Sequence, residues 1–213
     1  MKPNVKVCGV TDPSFAAEAA RLGVDYVGVI FAAESPRRVS AERAREIAVA
    51  VRAARPESPP KVVGVFVGGT AAQIAMTANL ASLDVVQLHG GHDDAAAEEL
   101  KGTGLEVWRL VEADAARAIR SVAADALLLD GRCGGRSGGT GCLADWSLVG
   151  ELKDRGFRVV LAGGLSAENA AAAAATGADI LDFNSSLETS PGVKSAGLLE
   201  EVLRRVRRGM DVE

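Results

Sequence analysis

Short apolar runs alternate along the chain with longer segments in which apolar residues recur at helical spacing. The runs are rich in Val, Ile and Leu, and most of them lack the polar alternation of a half-exposed strand. Such runs are typical of strands that are buried on both faces, as in a parallel sheet. We predict eight strands, at Val5–Val10, Asp25–Phe31, Lys61–Val67, Asp84–Leu88, Leu105–Leu110, Asp125–Leu129, Phe157–Leu161 and Asp179–Phe183.

Capping residues mark the helical segments between these strands. Asp12 followed by Pro13 is typical of a helix start, because Asp accepts free backbone N–H groups and Pro is tolerated at the first helical position. Glycine favours the left-handed conformation that ends many helices. We predict eight helices in strict alternation with the strands. Further starts are predicted at Ser40, Thr70 and Ser166–Glu168, and helix ends at Gly23 and Gly177.

Eight alternating strand and helix units predict an α/β fold, and most simply a closed (β/α)8 TIM barrel. The alternative is an open, doubly wound sheet, which usually carries a G-x-G-x-x-G turn after its first strand. The segment Cys8-Gly9-Val10-Thr11 does not match that turn. The Pro-rich stretch 55–60 is interpreted as a connection from a helix to a strand, so we expect a single domain over residues 1–213.

Four predicted strands share an aspartate directly before the apolar run. By our count they are the second, fourth, sixth and eighth strands, and the residues are Asp25, Asp84, Asp125 and Asp179. One explanation is a simple preference of Asp for loop ends. The other is an internal duplication, which a repeated βα unit would leave behind. The sequence leaves both explanations open.

Composition and charge narrow the class of protein. Hydrophobic residues make up 48% and charged residues 24%, as in an ordinary globular protein. The 24 Lys and Arg against 28 Asp and Glu give a net charge of −4, which argues against a nucleic-acid binder. Three cysteines cannot form a complete disulfide framework, and we see neither a secretory signal nor an apolar run of about 18 residues. We therefore expect a cytoplasmic protein without a membrane partner.

Candidate catalytic groups follow the predicted strands, where a TIM barrel keeps its active site. We take the first strand to end at Cys8 and the sixth to end at Asp130. A thiol with an ordinary pKa of about 8.5 acts as a base once its thiolate is favoured, and a carboxyl group with a raised pKa acts as an acid. The alternatives are a small buried hydrophobic residue for Cys8 and a loop cap for Asp130.

Candidate ligand-binding groups follow the seventh and eighth strands, where barrels commonly bind phosphate. Glycines let the backbone approach an anion, and Asn and Ser present N–H and hydroxyl donors. The alternative is that the glycines are only turn residues. The predicted substrate-binding residues in these two loops are Gly163, Gly164, Asp182, Asn184, Ser185 and Ser186.

Three arginines are further candidates. Arg37 follows the second strand and is suited to bidentate binding of a substrate carboxylate, whereas we interpret Arg38 as a solvated neighbour. Arg109 faces the mouth of the barrel if the register of the fifth strand is as predicted.

His89 and His92 are three residues apart, but two nitrogen ligands are a weak basis for a metal site, so we predict no metal.

Several of these segments together resemble the phosphoribosylanthranilate isomerase family. Lys6-Val7-Cys8-Gly9-Val10-Thr11 is similar to its K-[IV]-C-G-[IV]-T signature. Matching segments follow in order up to Lys194, so the resemblance covers nearly the whole chain. They are Ser35-Pro36-Arg37 with Val39-Ser40, Val86 to Gly90, Leu129-Asp130 with Gly138 to Gly141 and Asp145-Trp146, Gly163 to Ser166, and Asp182 to Ser185 with Glu188 and Pro191 to Lys194.

The resemblance implies a general base at Cys8, a general acid at Asp130 and an anthranilate-carboxylate contact at Arg37, with phosphate bound by the glycine and serine loops. It implies an Amadori rearrangement of N-(5-phosphoribosyl)anthranilate in tryptophan biosynthesis. That reaction is an internal proton transfer, so no metal or redox cofactor is expected. The expected partner is a small phosphorylated substrate, and the sequence does not indicate an oligomeric state.

The chain departs from the family pattern at positions expected beside the anthranilate ring. Ala144 and Arg38 replace aromatic residues, and Ala32-Ala33 replaces an aromatic-Pro pair. The glycine-rich segment 131–137 suggests a mobile flap. Two other functions stay open: a repurposed phosphate-binding barrel, and a related aminoaldose-phosphate isomerase. The related barrel enzyme carries Asp at the end of its first strand, where this chain has Cys8.

Overall fold

The chain folds into a closed barrel of eight parallel strands, which confirms the predicted (β/α)8 fold. The computed structural model describes residues 2–120, 122–133, 136–137 and 144–209, with the backbone alone for residues 132, 133, 136 and 137. The expectation of one domain over residues 1–213 stays a prediction. The strands are β1 (Asn4–Val7), β2 (Tyr26–Ile30), β3 (Lys61–Phe66), β4 (Val85–Leu88), β5 (Glu106–Val111), β6 (Ala126–Leu129), β7 (Arg132–Cys133), β8 (Arg136–Ser137), β9 (Val159–Leu161), β10 (Ile180–Phe183), β11 (Glu188–Ser190) and β12 (Val193–Lys194).

The barrel closes where β1 pairs with β10, with Val5 opposite Leu181. Its strand order is β1, β2, β3, β4, β5, β6, β9 and β10. Alternate strand residues fill the barrel interior, where Tyr26 and Trp108 make an edge-to-face contact with ring centres 5.0 Å apart. The remaining strand residues pack outward against the helices. Both faces of the sheet are therefore buried, which is why the strands lack polar alternation.

The helices surround the barrel, and their predicted starts are largely confirmed. The side chains of Asp12, Ser40 and Thr70 accept N–H groups of the first helical turn. The predicted start at Ser166 is wrong, because Asn169 accepts the Ser166 N–H and holds a turn before the helix. The helices are α1 (Pro13–Leu22), α2 (Ala41–Ala54), α3 (Ala71–Ala81), α4 (Asp94–Lys101), α5 (Ala113–Ala118), α6 (Ser147–Asp154), α7 (Ala170–Ala175) and α8 (Ala196–Arg208).

Two features of the observed chain path differ from the prediction. The first strand ends at Val7 rather than Val10, so Cys8 lies in the loop above it. Two short antiparallel pairs, β7–β8 and β11–β12, were not predicted. The predicted flap at 131–137 includes positions outside the described residues. Across the described part of the chain, no helix is both long enough and apolar enough to cross a bilayer.

The four repeated aspartates form the same contact at the amino ends of the strands. Each carboxylate accepts the N–H of a valine at the start of the preceding barrel strand, and the same valine C=O accepts the Asp N–H. We call this two-point contact the Asp clamp. This contact is a physical reason for an aspartate at all four positions, and it agrees with either explanation of the pattern. The carboxylate–valine distances are 2.8 Å for Asp25–Val5, 2.8 Å for Asp84–Val62, 2.7 Å for Asp125–Val107 and 2.7 Å for Asp179–Val159.

A polar cluster closes the amino end of the barrel. Glu106 accepts from Lys61 at 2.6 Å and from Arg158 at 2.6 Å. It also accepts from the indole N–H of Trp108 at 2.7 Å, and Arg158 donates to the hydroxyl of Tyr26 at 2.6 Å. We call Arg158, Glu106 and Lys61 the basal triad. Its bonds satisfy the polar atoms of the two aromatic residues that fill the barrel floor.

Candidate active site

A cavity of about 500 Å³ opens at the carboxyl ends of the barrel strands. Polar and apolar residues from seven of the eight barrel strands, or from the loops after them, contribute to its wall. Ser186 does not line it, and within the described residues its buried hydroxyl has no hydrogen-bond partner. The other predicted site residues all do: Cys8, Arg37, Asp130, Gly163, Gly164, Asp182, Asn184 and Ser185.

Cys8 lies directly above β1 and is 5% exposed. Its backbone N–H donates to the Phe183 carbonyl at 2.8 Å, which continues the β1–β10 pairing and fixes its position. Cys8 is a free thiol. Burial raises the pKa of the Cys8 thiol above its ordinary value, while the positive charges of Lys6 and Lys194 oppose the shift. The thiol is therefore a strong base once it is ionised.

Lys6 lies beneath Cys8 and is fully buried. Its ammonium donates to Asp182 Oδ2 at 2.5 Å and to Gln87 Oε1 at 2.9 Å. Burial disfavours the charged ammonium, but the Asp182 carboxylate outweighs burial and raises the pKa of Lys6. Gly28 leaves the necessary space, since a methyl group there would lie 3.0 Å from the Cys8 sulfur and 3.1 Å from Lys6 Cε. A permanent positive charge thus lies below the thiol.

Asp182 has two different carboxylate oxygens. Oδ2 is bound to Lys6, whereas Oδ1 is buried and has no hydrogen-bond partner among the described residues. A buried acceptor without a donor is costly, so such atoms in native proteins usually meet a ligand or water. This geometry is compatible with the predicted role of Asp182 in substrate binding, which stays a prediction.

Asp130 follows β6, and His89 follows β4 on the same wall of the cavity. Nε2 of His89 lies 3.5 Å from Asp130 Oδ2, and Nδ1 lies 3.4 Å from the Gln87 amide nitrogen. Gly163 packs directly against Asp130, because a methyl group on Gly163 would lie 2.7 Å from Oδ1 and 2.1 Å from the Gly131 nitrogen. Across the described part of the chain, no three His, Cys, Asp or Glu side chains gather as metal ligands do.

Arg37 is held by Glu188 in a bidentate ion pair. Nε donates to Oε1 and Nη2 donates to Oε2, both at 2.7 Å. Gly9 leaves the space for this arrangement, because a methyl group there would lie 2.5 Å from Arg37 Cδ and 2.8 Å from Asn184 Oδ1. Glu188 lies in β11, so the unpredicted β11–β12 hairpin holds the predicted carboxylate-binding arginine.

Lys194 completes this group from β12. Its ammonium donates to Glu188 Oε1 at 2.8 Å and to the carbonyl and Oδ1 of Asn184, both at 2.9 Å. We call Arg37, Glu188 and Lys194 the upper triad. Burial works against the Glu188 carboxylate, but Arg37 and Lys194 outweigh it and hold the pKa of Glu188 below its ordinary value. Burial lowers the pKa of Lys194, against the opposing bond from Glu188.

The loop after β9 exposes backbone to the cavity. Gly163 and Gly164 have φ values of +82° and +64°, a region that disfavours residues with a side chain. The Asn169 amide donates to the Gly164 carbonyl at 2.9 Å and so turns that oxygen toward α7. Consecutive backbone units of this kind form concave sites for anions, as the phosphate-binding prediction requires.

A family model described as N-(5'phosphoribosyl)anthranilate (PRA) isomerase matches residues 5–205. The chain belongs to this family. The first segment of the isomerase signature now has a structural meaning. Cys8 supplies the thiol and Gly9 makes room for Arg37. Thr11 donates to the Gly192 carbonyl at 3.0 Å and fastens the β11–β12 hairpin to the loop after β1.

Known proteins similar to the chain come from several bacteria. It is 40% identical over 206 residues to the tryptophan biosynthesis protein TrpCF of Vibrio cholerae, covering 95% of the chain and 42% of that protein. The chain thus spans less than half of TrpCF. It is 35% identical over 207 residues to the N-(5'-phosphoribosyl)anthranilate isomerase of Campylobacter jejuni, covering 96% of the chain and 99% of that enzyme.

Solved isomerase structures share the fold. The phosphoribosyl anthranilate isomerase of Thermus thermophilus has a TM-score of 0.85 and 33% identity, covering 96% of this chain and 98% of that one. A second isomerase was solved in complex with reduced 1-(o-carboxyphenylamino)-1-deoxyribulose 5-phosphate. It has a TM-score of 0.79 and 28% identity, covering 97% of this chain and 99% of that one.

The remaining candidates from the sequence differ in how they relate to the cavity. Arg109 does not line it and instead pairs with Asp94 and donates to the His92 carbonyl at 2.8 Å. The expectation that Arg109 faces the mouth is therefore wrong. Arg38 is exposed, as expected for a solvated arginine. Of the departures from the family pattern, Ala32 and Ala33 line the cavity, whereas Ala144 packs against the core.

Five polar residues in or behind the cavity wall were not assigned a role from the sequence. Lys6 and Gln87 were detectable, since each is a polar residue inside an apolar strand. Such a residue has a side chain that must find a partner inside the barrel. His89, Glu188 and Lys194 lie in loops or in the short hairpin, where no periodicity points to a partner.

Proposed function

We propose that the chain is an N-(5'-phosphoribosyl)anthranilate isomerase, acting in tryptophan biosynthesis by general acid–base catalysis. The observation that carries the proposal is a single cavity lined by a free thiol, a carboxyl group, a paired arginine and a glycine-rich loop. Family membership supports the same reaction. The ligand of the solved relative carries a phosphate and an aryl carboxylate, and the cavity offers groups suited to both.

The first chemical step assigned here is acid catalysis by Asp130. Its protonated carboxyl group gives a proton to the ribose ring oxygen, and the C1–O bond breaks with its electron pair going to that oxygen. The lone pair of the anilino nitrogen forms the C=N bond of a Schiff base. Asp130 is suited to this role because its side chain lines the cavity and is only 8% exposed.

The second step is base catalysis by Cys8. The thiolate removes the proton at C2, the electron pair of that bond forms C1=C2, and the C=N pair returns to nitrogen to give an enolamine. Loss of the O2 proton and protonation of C1 then give the ketose product. Cys8 must finally release its proton and Asp130 must regain one, so the cycle as a whole moves protons without oxidation or reduction.

Substrate binding is assigned to groups around this pair. Arg37 contacts the anthranilate carboxylate, and backbone N–H groups of the loops at Gly163, Gly164 and Ser185 contact the phosphate. Asp182 Oδ1 accepts a hydroxyl of the ribose, which gives that buried oxygen a partner. A reducing cytoplasmic setting is part of the proposal, because Cys8 must stay a free thiol to act as the base.

The test is the decay of anthranilate fluorescence. Phosphoribosylanthranilate is generated in situ and the purified chain is added with EDTA present. We expect rapid loss of fluorescence for the wild type and none above background for Cys8→Ser. Calorimetric binding of the reduced product analogue to both proteins is the control for folding. Binding without turnover in the wild type would contradict the proposal and favour a repurposed phosphate-binding barrel.

A further inference from the structure

We propose that Lys194 sets the preference of this cavity for a ligand that carries a carboxylate, acting through Glu188 on Arg37. Lys194 is thus a positioning and specificity-determining residue rather than a catalytic one. The inference rests on the proposed function, because it concerns how the same cavity recognises its ligand.

The bonding of Arg37 leaves one edge for a ligand. A guanidinium has two edges that can bind a carboxylate with two parallel N–H donors. Glu188 occupies the edge formed by Nε and Nη2. The edge formed by Nη1 and the second N–H of Nη2 is left, and Arg37 lines the cavity whereas Glu188 and Lys194 do not. A ligand carboxylate on that edge would be the second anion on one arginine.

The charge balance explains why a third residue is needed. The Arg37–Glu188 pair alone is neutral, so it offers a second carboxylate no net attraction. Lys194 raises the charge of the upper triad to +1, and a bound ligand carboxylate returns it to zero. Lys194 and Glu188 are 2% and 4% exposed, so solvent screens these charges little.

The geometry of Lys194 excludes direct binding as its role. All three ammonium donors are used, by Glu188 Oε1 and by the two oxygens of Asn184. Lys194 therefore acts by its charge and by holding Glu188 behind Arg37. The bonds to Asn184 suggest a competing role, in which Lys194 only shapes the loop after β10.

A comparison of two ligands separates the two roles. The ligands are the reduced product analogue and its counterpart that lacks the ring carboxylate. Calorimetry gives a Kd for each with wild type, Lys194→Met and Lys194→Gln. We expect both substitutions to weaken the carboxylated ligand about tenfold and the other ligand less than about threefold, since a single charge is lost near one group only. Lys2→Met, at an exposed lysine before β1, is the matched control and should change neither Kd.

Three outcomes would overturn the inference. Equal loss for both ligands would assign Lys194 to the Asn184 loop alone. No loss for either ligand would remove it from recognition. Equal Kd values in the wild type would mean that the cavity has no carboxylate preference to explain. The fluorescence assay decides the proposed reaction independently, so a wild type with turnover and unselective binding would overturn this inference only.

Discussion

The two ends of the barrel carry the same three charged residue types in different surroundings. The basal triad joins Arg158, Glu106 and Lys61, and the upper triad joins Arg37, Glu188 and Lys194. Each has a carboxylate between an arginine and a lysine, with bond distances of 2.6–2.8 Å. The lysines differ most, because the Lys61 side chain is 51% exposed and that of Lys194 is 2% exposed.

The use of the remaining hydrogen-bonding groups also differs. At the basal end, Glu106 accepts a third donor from Trp108, and Arg158 has a further acceptor in Tyr26. At the upper end, Arg37 lines the cavity while Glu188 takes only the edge formed by Nε and Nη2. The comparison shows that the same three charged residue types stabilise the amino end of the barrel when their hydrogen bonds are all made within the protein. The same three residue types prepare a binding site when one edge of the arginine keeps N–H donors for a ligand and water is excluded.

The largest expected effect is the loss of activity when the candidate acid in the cavity is replaced. We expect Asp130→Asn to reduce kcat/KM by at least ~10³-fold, because a general acid is removed, while Tm stays within a few degrees of wild type. Steady-state fluorescence kinetics and thermal unfolding measure the two quantities. Binding of the reduced product analogue should change less than about threefold. An active Asp130→Asn variant would overturn the assigned acid.

Lys6→Met is expected to affect both stability and activity. It leaves Asp182 as an unpaired buried carboxylate, which costs ~3–5 kcal/mol of unfolding free energy. It also removes a positive charge beneath Cys8. Since that charge opposes the upward shift of the thiol pKa, its loss raises the pKa of Cys8 further. The rise of kcat/KM with pH should move to higher pH.

Denaturant unfolding and a pH–rate profile test the Lys6 prediction. The double variant Lys6→Met with Asp182→Asn removes both charges and should recover part of the lost stability. It should recover only part of the pH profile, because the Asp182 carboxylate raises the pKa of Cys8 by less than Lys6 lowers it. If the pH–rate profile of Lys6→Met alone were identical to that of the wild type, Lys6 would support the fold but not the ionisation of Cys8.

The Asp clamps should affect the fold without affecting the reaction. Asp179→Ala removes the bond to the Val159 N–H and the pair with Lys153. We expect a loss of ~1.5–3 kcal/mol, as for other hydrogen bonds to charged groups, with kcat/KM nearly unchanged. Urea unfolding and the fluorescence assay are compared with Asp154→Ala, an exposed aspartate at the end of α6. A large change in kcat/KM would show that the two ends are coupled.

The smallest effect is expected at the basal triad. Lys61→Met should cost less than ~1 kcal/mol, because exposed ion pairs are well screened and contribute little. The same substitution at Lys194 changes ligand selectivity, so the pair of variants is a direct test of the comparison. Equal effects on ligand binding would remove the distinction between the two triads. Urea unfolding gives the stability of each variant.

The fold was largely predictable because its information is local. The barrel strands are rich in Val, Ile and Leu, and caps such as Asp12 and Thr70 mark helix starts within a few residues. Cys8 and Asp130 were identified as candidates because barrel chemistry lies at strand ends. The partners of these groups were not predictable from local pattern. Lys6 meets Gln87 and Asp182 across 81 and 176 residues, and Arg37 meets Glu188 across 151.

Those long separations have one physical cause. Closure of the barrel brings β1 beside β10, and the hairpin after β10 then reaches the loop after β2. The hairpin itself has strands of three and two residues, too short to show a period. Arg109 illustrates the opposite error, since its strand was predicted correctly but its side chain lies against the loop at Asp94.

The four Asp clamps join the eight barrel strands in four pairs. Each clamp fastens β1 to β2, β3 to β4, β5 to β6 or β9 to β10, and none fastens one such pair to the next. A break at the connection 55–60, between two pairs, severs no clamp, whereas a break between β3 and β4 separates a clamp from its strand. For assembly from fragments, a cut at 55–60 keeps both residues of every clamp in the same fragment, whereas a cut between β3 and β4 does not.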